Sequence, residues 1–197
     1  MKKLVKALLV IGLLCGCSNA TPQKEESTSS GSPTFTFKHY ASGGTETDMT
    51  ATILFESANK TFTKYQVAFT SCTCRDAAMN FSSVMYVEIL NTKETPEEAS
   101  IRCISFGGVD GYTPGTWGDS NPIHGNENLT FEYLDENFVQ KLTKVSKREF
   151  DNWGGYGTQV ADIEMDALTG ATVSTANTTS VLKSLMEYHA AKYYTEK

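Results

Sequence analysis

A periodic stretch near the C-terminus constrains the fold of this chain more than any other part. Its apolar side chains recur at intervals of three and four residues among polar ones: Val181, Leu182, Leu185, Met186 and Tyr193. This spacing predicts an amphipathic helix, because such residues share one helical face. The helix is expected to begin between Thr172 and Thr175, where hydroxyl groups can cap the first backbone N–H groups.

The segments upstream of this helix predict strands. Four of them carry β-branched and aromatic residues between polar turn residues: 50–56, 64–70, 84–90 and 101–106. A short helix is expected over 95–99, followed by a long loop over 107–126. Asp135 is expected to cap a helix that runs through Phe138, Val139, Leu142 and Val145. A further strand is expected over 158–163. The expected fold class is α+β, with a mixed or antiparallel sheet in one compact domain.

The residues that lead into the C-terminal helix form a candidate anion site. They are Asp166, Thr169, Gly170, Ala171 and Thr172. Gly170 permits a sharp turn with uncovered backbone, and the start of a helix carries partial positive charge. An anion attached to Thr172 would therefore meet unpaired amide groups. The alternative is that Thr172, Ser174 and Thr175 only cap the helix.

This segment resembles the flavinylation motif of the FMN-binding domain family, which reads Asp, two variable residues, Ser or Thr, then Gly-Ala-Thr. The family includes free-standing exported flavoproteins and subunits of the sodium-translocating NADH:quinone reductase and ferredoxin:NAD oxidoreductase complexes. The resemblance implies that a flavin transferase, with FAD as donor and Mg²⁺, joins FMN to Thr172 as a phosphoester. It further implies that Asp166 serves transferase recognition or metal positioning and that Thr169 and Gly170 shape the turn, while Ser174 and Thr175 only cap the helix.

The N-terminus is typical of an exported lipoprotein. Lys2 and Lys3 precede an apolar run over 4–14 that is broken only by Lys6, and Leu-Cys-Gly-Cys follows at 14–17. The run is shorter than the roughly 20 residues that cross a bilayer, which disfavours an uncleaved anchor. The expected organisation is a signal peptide over 1–16, a lipidated Cys17 that opens a Ser/Thr-rich tether over 17–34, and an FMN-binding domain over 35–197.

Three cysteines remain after signal removal and lipidation: Cys72, Cys74 and Cys103. In an exported domain we expect one disulfide, between Cys103 and either Cys72 or Cys74, and one free thiol. A redox-active pair of Cys72 and Cys74 is a second interpretation. A zinc site that uses one of the scattered His39, His124 or His189 is a third, although each histidine is more simply an ordinary surface or helix residue.

Together these features predict a membrane-anchored extracytoplasmic electron carrier rather than a self-contained enzyme. Electrons would pass from a membrane donor through FMN to an extracellular acceptor or reductase. Trp117, Trp153 and Tyr156 lie in Gly-rich stretches and are candidate flavin contacts, with core packing as the alternative. The net charge of −6 and the lack of a basic cluster argue against nucleic-acid binding. The alternatives are a lipid-anchored solute-binding or adhesion domain and an exported thiol-disulfide oxidoreductase.

Overall fold

A computed structural model describes residues 31–73, 81–106, 121–123, 126–163 and 171–194. Residues Ser32–Lys197 form one compact unit. Its sheet contains five antiparallel strands in the order β1-β2-β3-β4-β5. The strands are β1 (Thr34–Tyr40), β2 (Glu46–Ala58), β3 (Phe62–Cys72), β4 (Phe81–Leu90) and β5 (Ile101–Ser105). The prediction of an α+β fold with an antiparallel sheet is confirmed.

Strand β1 is the one strand of this sheet that the sequence analysis missed. Its apolar positions alternate, with Phe35, Phe37 and His39 on the inner face of the sheet and threonine or lysine between them. The alternation is a strand pattern, but it directly follows a Ser/Thr-rich stretch that was assigned to a tether. The four predicted strands are confirmed. Strands β2 and β3 extend beyond both predicted ends, β4 begins three residues earlier than predicted, and β5 ends one residue earlier.

The two faces of the sheet differ in composition. The centre of the inner face is apolar and buried, and it is formed by Ile53, Tyr65, Val67, Met85 and Val87. The outer face carries the three large apolar side chains that are most exposed among the described residues, which are Leu54, Phe55 and Val84. Leu54 lies at a β-bulge, where the register between β2 and β3 shifts.

The helical segment after residue 130 starts earlier than predicted. Thr130 caps helix α1 (Phe131–Leu134), and its side chain accepts a hydrogen bond from the backbone N–H of Tyr133. The chain continues through a π-helical turn (Asp135–Val139) and a 3₁₀ turn (Gln140–Leu142). The prediction that Asp135 caps this helix is therefore wrong, because Asp135 lies inside the helical run. The predicted apolar side chains, Phe138, Val139, Leu142 and Val145, are buried as expected.

The segment over 158–163 consists of turns, so the predicted strand there is wrong. Its apolar residues Val160 and Ile163 are buried without a strand partner. Before it, helix α2 (Lys147–Asp151) begins with a reciprocal capping box between Ser146 and Glu149. The short helix predicted over 95–99 is confirmed as one 3₁₀ turn (Pro96–Glu98).

Helix α3 (Thr172–Tyr193) packs on β1 and β3. Of the predicted apolar residues, Val181, Leu182, Leu185 and Met186 are buried and Tyr193 is half-buried against the core, so the predicted helix is confirmed. The helix runs antiparallel to β1, because Asn177 near its start bonds to Tyr40 and Tyr188 near its end contacts Phe35. Within the described ranges, no helix is both long and apolar enough to cross a bilayer.

Candidate functional site

The start of α3 is the first component of the candidate site. Thr172 is the first helical residue and is half-buried, so its hydroxyl lies at the helix N-terminus. The preceding residue, Ala171, is buried and has no side-chain acceptor, so it provides no side-chain cap. The first turn therefore presents the positive end of the helix dipole without a cap from its N-cap residue. Asp166, Thr169 and Gly170 lie outside the described residues.

The predicted capping role of Thr175 is wrong. Its hydroxyl donates to the backbone carbonyls of Ala171 and Thr172, at 3.1 and 3.2 Å. A hydrogen bond donated to the preceding turn satisfies the Thr175 hydroxyl but does not cap the N-terminal amides of the helix. Ser174 is also buried within this turn. Of Thr172, Ser174 and Thr175, Thr172 is the most accessible residue.

The first half of α3 is polar and yet buried. All residues from Ser174 to Ser180 are buried, and six of these seven are serine, threonine or asparagine. Asn177 shows how such residues are accommodated. Its amide oxygen accepts from the backbone N–H of Tyr40 at 2.6 Å, while its amide nitrogen donates to the carbonyls of Tyr40 and Ser71 at 2.9 and 2.8 Å. This side chain fixes the start of α3 to the ends of β1 and β3.

A cavity of about 340 Å³ lies between β1, α3 and the loop that follows α2. It is lined by Thr36, Phe37, Lys38, Tyr40, Asp48, Trp153, Gly154, Gly155, Ser180, Lys183, Ser184 and Glu187. Ser180 is eight residues beyond Thr172, which corresponds to about 12 Å along the helix axis at 1.5 Å per residue. The cavity therefore lies within reach of a flexible group attached to Thr172.

One side of this cavity is aromatic. The rings of Tyr40 and Trp153 meet edge to face with centroids 5.8 Å apart, and Tyr156 packs on Tyr40 at 5.9 Å. The indole N–H of Trp153 donates to the carbonyl of Thr158 at 3.2 Å, which fixes the ring. Trp153 is buried in the core and also lines the cavity, whereas Tyr156 is half-buried and packs against the core. Trp117 lies outside the described residues.

Gly155 allows the loop to pass close to this aromatic cluster. Its φ is +95°, and a Cβ at this position would lie 3.2 Å from the hydroxyl oxygen of Tyr40. Both features require glycine, since other residues are strained at positive φ. The sequence analysis missed Tyr40 and Asn177 because no local pattern distinguishes them. In the sequence, Gly154 and Gly155 were the feature that could have indicated a close approach of the backbone to another group.

The rim of the cavity carries both charges. Lys38 and Asp48 form an exposed ion pair at 2.7 Å, and this contact raises the pKa of Lys38. On α3, Lys183 lies 3.4 Å from the carbonyl of Asp151, and Glu187 is exposed. A polar rim around an apolar wall suits a ligand with a flat apolar part and polar substituents.

The cysteines depart from the predicted pairing. Cys72 is buried and disulfide-bonded to a partner outside the described residues. Cys103 is a free thiol on β5, so the predicted disulfide of Cys103 with Cys72 or Cys74 is wrong. Burial raises the pKa of the Cys103 thiol, which reduces its thiolate fraction at neutral pH. Cys74 itself is not among the described residues. In the described part of the chain, His, Cys, Asp and Glu side chains do not converge on a metal site.

Two of the three histidines lie in the core rather than on the surface. His39 and His189 are buried, and in each the Nε2 atom has no hydrogen-bond partner. Burial lowers the pKa of His39, and it lowers the pKa of His189 to about 4. The Nδ1 atom of His189 lies 2.8 Å from the hydroxyl oxygen of Tyr65. Both imidazoles are therefore neutral core groups at pH 7, and His124 is not described.

Comparisons with protein-family models, with curated proteins and with solved structures found no match to this chain. The interpretation of the site therefore rests on the motif residues and on the geometry around Thr172.

Proposed function

We propose that this protein is a lipid-anchored extracytoplasmic flavoprotein that carries electrons through FMN attached to Thr172 by a phosphoester bond. The observation that carries the proposal is the position of Thr172. It is a half-buried hydroxyl at the first position of a 22-residue helix whose N-cap residue is alanine. A phosphate on this hydroxyl would meet the positively polarised start of a helix whose N-cap residue provides no side-chain cap.

The described residues fit FMN in two respects. The N-terminus of α3 suits the phosphate, and the cavity beside Tyr40 and Trp153 offers an aromatic wall and a polar rim to the ring. When bound, FMN supplies both one-electron and two-electron transfer. The roles of Asp166, Thr169 and Gly170 toward a flavin transferase that uses FAD and Mg²⁺ belong to the same proposal.

The chain's own residues position and shield the cofactor. Asn177 holds the start of α3 against the sheet, and the packing of Trp153 on Tyr40 fixes the aromatic wall. The described cavity contains no histidine or cysteine. In this proposal the protein therefore acts by holding and orienting the flavin, and electrons enter and leave through partners: a membrane donor and an extracellular acceptor or reductase.

The cavity also favours a second candidate, a lipid-anchored solute-binding domain. A 340 Å³ space lies within the range of small-molecule sites. In that case a free ligand would occupy the cavity, and Thr172 would play no covalent role. The two functions differ in whether the ligand stays attached to the chain when the protein is denatured.

Flavin fluorescence on a denaturing gel tests the proposal. We expect the wild-type chain, co-expressed with a flavin transferase, to give a fluorescent band. The Thr172→Val variant keeps the shape of the side chain but lacks the hydroxyl, so its band should be dark.

Thr175→Val is the matched control, because it removes a hydroxyl one turn away whose hydrogen bonds stay within the helix. This variant should remain fluorescent. A fluorescent Thr172→Val band would place the attachment elsewhere. A dark wild-type band, under conditions where another substrate of the transferase is labelled, would favour the solute-binding function.

A further inference from the structure

The outer face of the sheet carries an apolar surface that the proposed flavin site does not use. Leu54, Phe55 and Val84 have exposed fractions of 50, 49 and 43 %. Strand register places them together: Phe55 lies opposite Gln66, Gln66 opposite Tyr86, and Ala68 opposite Val84. We call Leu54, Phe55, Ala68, Val84 and Tyr86 the outer patch. Exposed apolar side chains that cluster in this way mark an interaction surface.

Cationic groups border the outer patch at one end. Lys60 is exposed in the turn between β2 and β3, and Lys64 lies on the outer face. Arg102 is half-exposed, and its guanidinium lies 4.4 Å from the centroid of the Phe62 ring, while the Lys64 ammonium lies 5.6 Å from the same ring. Glu88, the carboxylate of this region, is buried and pairs with Arg102. A chain with a net charge of −6 thus has a local cationic and aromatic border here.

The first strand of the domain, β1, begins level with the outer patch along the strand direction. Thr34, the first residue of β1, pairs with Thr52, which pairs with Ala68 in the outer patch. The 17 residues from Cys17 to Pro33 reach at most roughly 60 Å when extended at about 3.5 Å per residue. A lipid on Cys17 would therefore confine the domain to within roughly 60 Å of the membrane, a distance from which the outer patch can reach the headgroups.

We propose that the outer patch and its cationic border dock on the headgroup region of an anionic membrane. Exposed aromatic and aliphatic side chains beside lysine and arginine suit this interface, where apolar groups insert and cations meet lipid phosphates. The proposal rests on the lipid anchor in the proposed function.

This docking sets the orientation of the candidate flavin site. Tyr188 packs on Phe35 near the start of β1, and Thr172 lies sixteen residues earlier on α3, about 24 Å away along the helix axis. Because α3 packs on the inner face of the sheet, docking of the outer patch leaves Thr172 on the side away from the bilayer, toward an acceptor in the extracellular space. This assigns the exposed redox partner to the membrane-distal end of the domain.

Tryptophan quenching by brominated lipid tests the orientation in the full lipidated chain. Phe55→Trp and Thr50→Trp place a reporter on the same strand and the same outer face, on and off the outer patch. In vesicles of brominated phosphatidylcholine and phosphatidylglycerol, we expect strong quenching of the Phe55→Trp emission and little change for Thr50→Trp. Adding Lys60→Gln to Phe55→Trp should weaken the docking equilibrium about fivefold.

Absence of quenching in Phe55→Trp, or equal quenching at both positions, would overturn the proposal. Shielding of the Phe55→Trp emission that depends on protein concentration without lipid would also overturn it, since a second copy would then cover the outer patch. Quenching is read on protein that sediments with the vesicles, and intact mass of the same sample shows whether Cys17 carries lipid. Failure of the anchor and failure of the docking therefore appear in different measurements.

Discussion

At the scale of single residues, Asn177 holds α3 against the sheet at the end where Thr172 lies. It is fully buried, and its three hydrogen bonds reach the backbone of Tyr40 and Ser71. No sequence pattern pointed to it, because these partners are 106 and 137 residues away along the chain. The position of Thr172 at the start of α3, in contrast, was predictable from the residues around it.

Asn177→Ala should lower the free energy of unfolding by about 2–4 kcal/mol, because three buried hydrogen bonds are lost together. Urea denaturation followed by circular dichroism measures this change. Asn137→Ala is the control, because the Asn137 side chain donates only to the carbonyl of Tyr133 in its own turn. Its expected cost is below about 1 kcal/mol. Equal losses in the two variants would contradict the role assigned to Asn177.

Also at the residue scale, His189 should make stability depend on pH. Its folded pKa is about 4, against about 6.5 in the unfolded chain, because burial disfavours the charged ring. The groups that face it are the Tyr65 hydroxyl and the rings of Tyr193 and Tyr194, with the Glu56 carboxylate acting at longer range. Stability is fully present above pH 6.5 and falls as the pH drops toward 4, since only the unfolded chain takes up the proton.

Between pH 7 and pH 5 this linkage amounts to about 2 kcal/mol. Urea midpoints of the wild-type chain and of His189→Gln at both pH values measure it. The variant should lose less stability on acidification. It should still lose some, because burial also lowers the pKa of His39. An identical loss in both proteins would refute the linkage.

At the scale of elements, the C-terminal end of α3 is fastened by one carboxylate. Glu56 on β2 accepts hydrogen bonds from the Tyr188 hydroxyl at 3.0 Å, the Lys192 ammonium at 2.9 Å and the Tyr193 hydroxyl at 2.6 Å. Burial opposes the charge on Glu56, but the hydrogen bonds from Lys192, Tyr193 and Tyr188 outweigh it and lower its pKa. The helix is thus fixed by Asn177 near its start and by Glu56 near its end.

Glu56→Gln should loosen only this end of α3. Hydrogen exchange is expected to accelerate about tenfold over the last turn of the helix, which corresponds to about 1.4 kcal/mol, and to remain unchanged near Asn177. Asp48→Asn is the control, since it removes an ion pair with Lys38 whose partners are both more than half exposed. Uniform acceleration along α3 would show that Glu56 does not act locally.

The elements also show the extent of sequence-based prediction. Helix α3 and four strands were predictable because their apolar residues follow one period over several turns or pairs. The expected strand over 158–163 was wrong, because Val160 and Ile163 are buried by tertiary contacts of a turn rather than by a ladder. The Cys103 pairing was wrong for a similar reason. Which cysteines meet depends on strand placement, which spacing does not encode.

At the scale of the whole molecule, the structure separates two ends of one domain. The start of β1 and the outer patch lie at one end, and Thr172 lies toward the other, where Tyr40 packs on Trp153. In the proposed function, this separation would let the anchored end stay at the membrane while the end that holds FMN meets redox partners. The fold class was predictable from the sequence. The separation of the two ends was not, because it depends on the antiparallel packing of α3 against β1.

The central claim is that FMN is joined covalently to Thr172, and intact mass spectrometry of the mature chain tests it most directly. The proposal predicts that the wild-type protein, made with a flavin transferase, carries the mass of FMN less one water, and that Thr172→Val does not. Fragmentation should place the added mass on the peptide that contains Thr172. A wild-type chain without this mass, where another transferase substrate is fully labelled, would contradict the account.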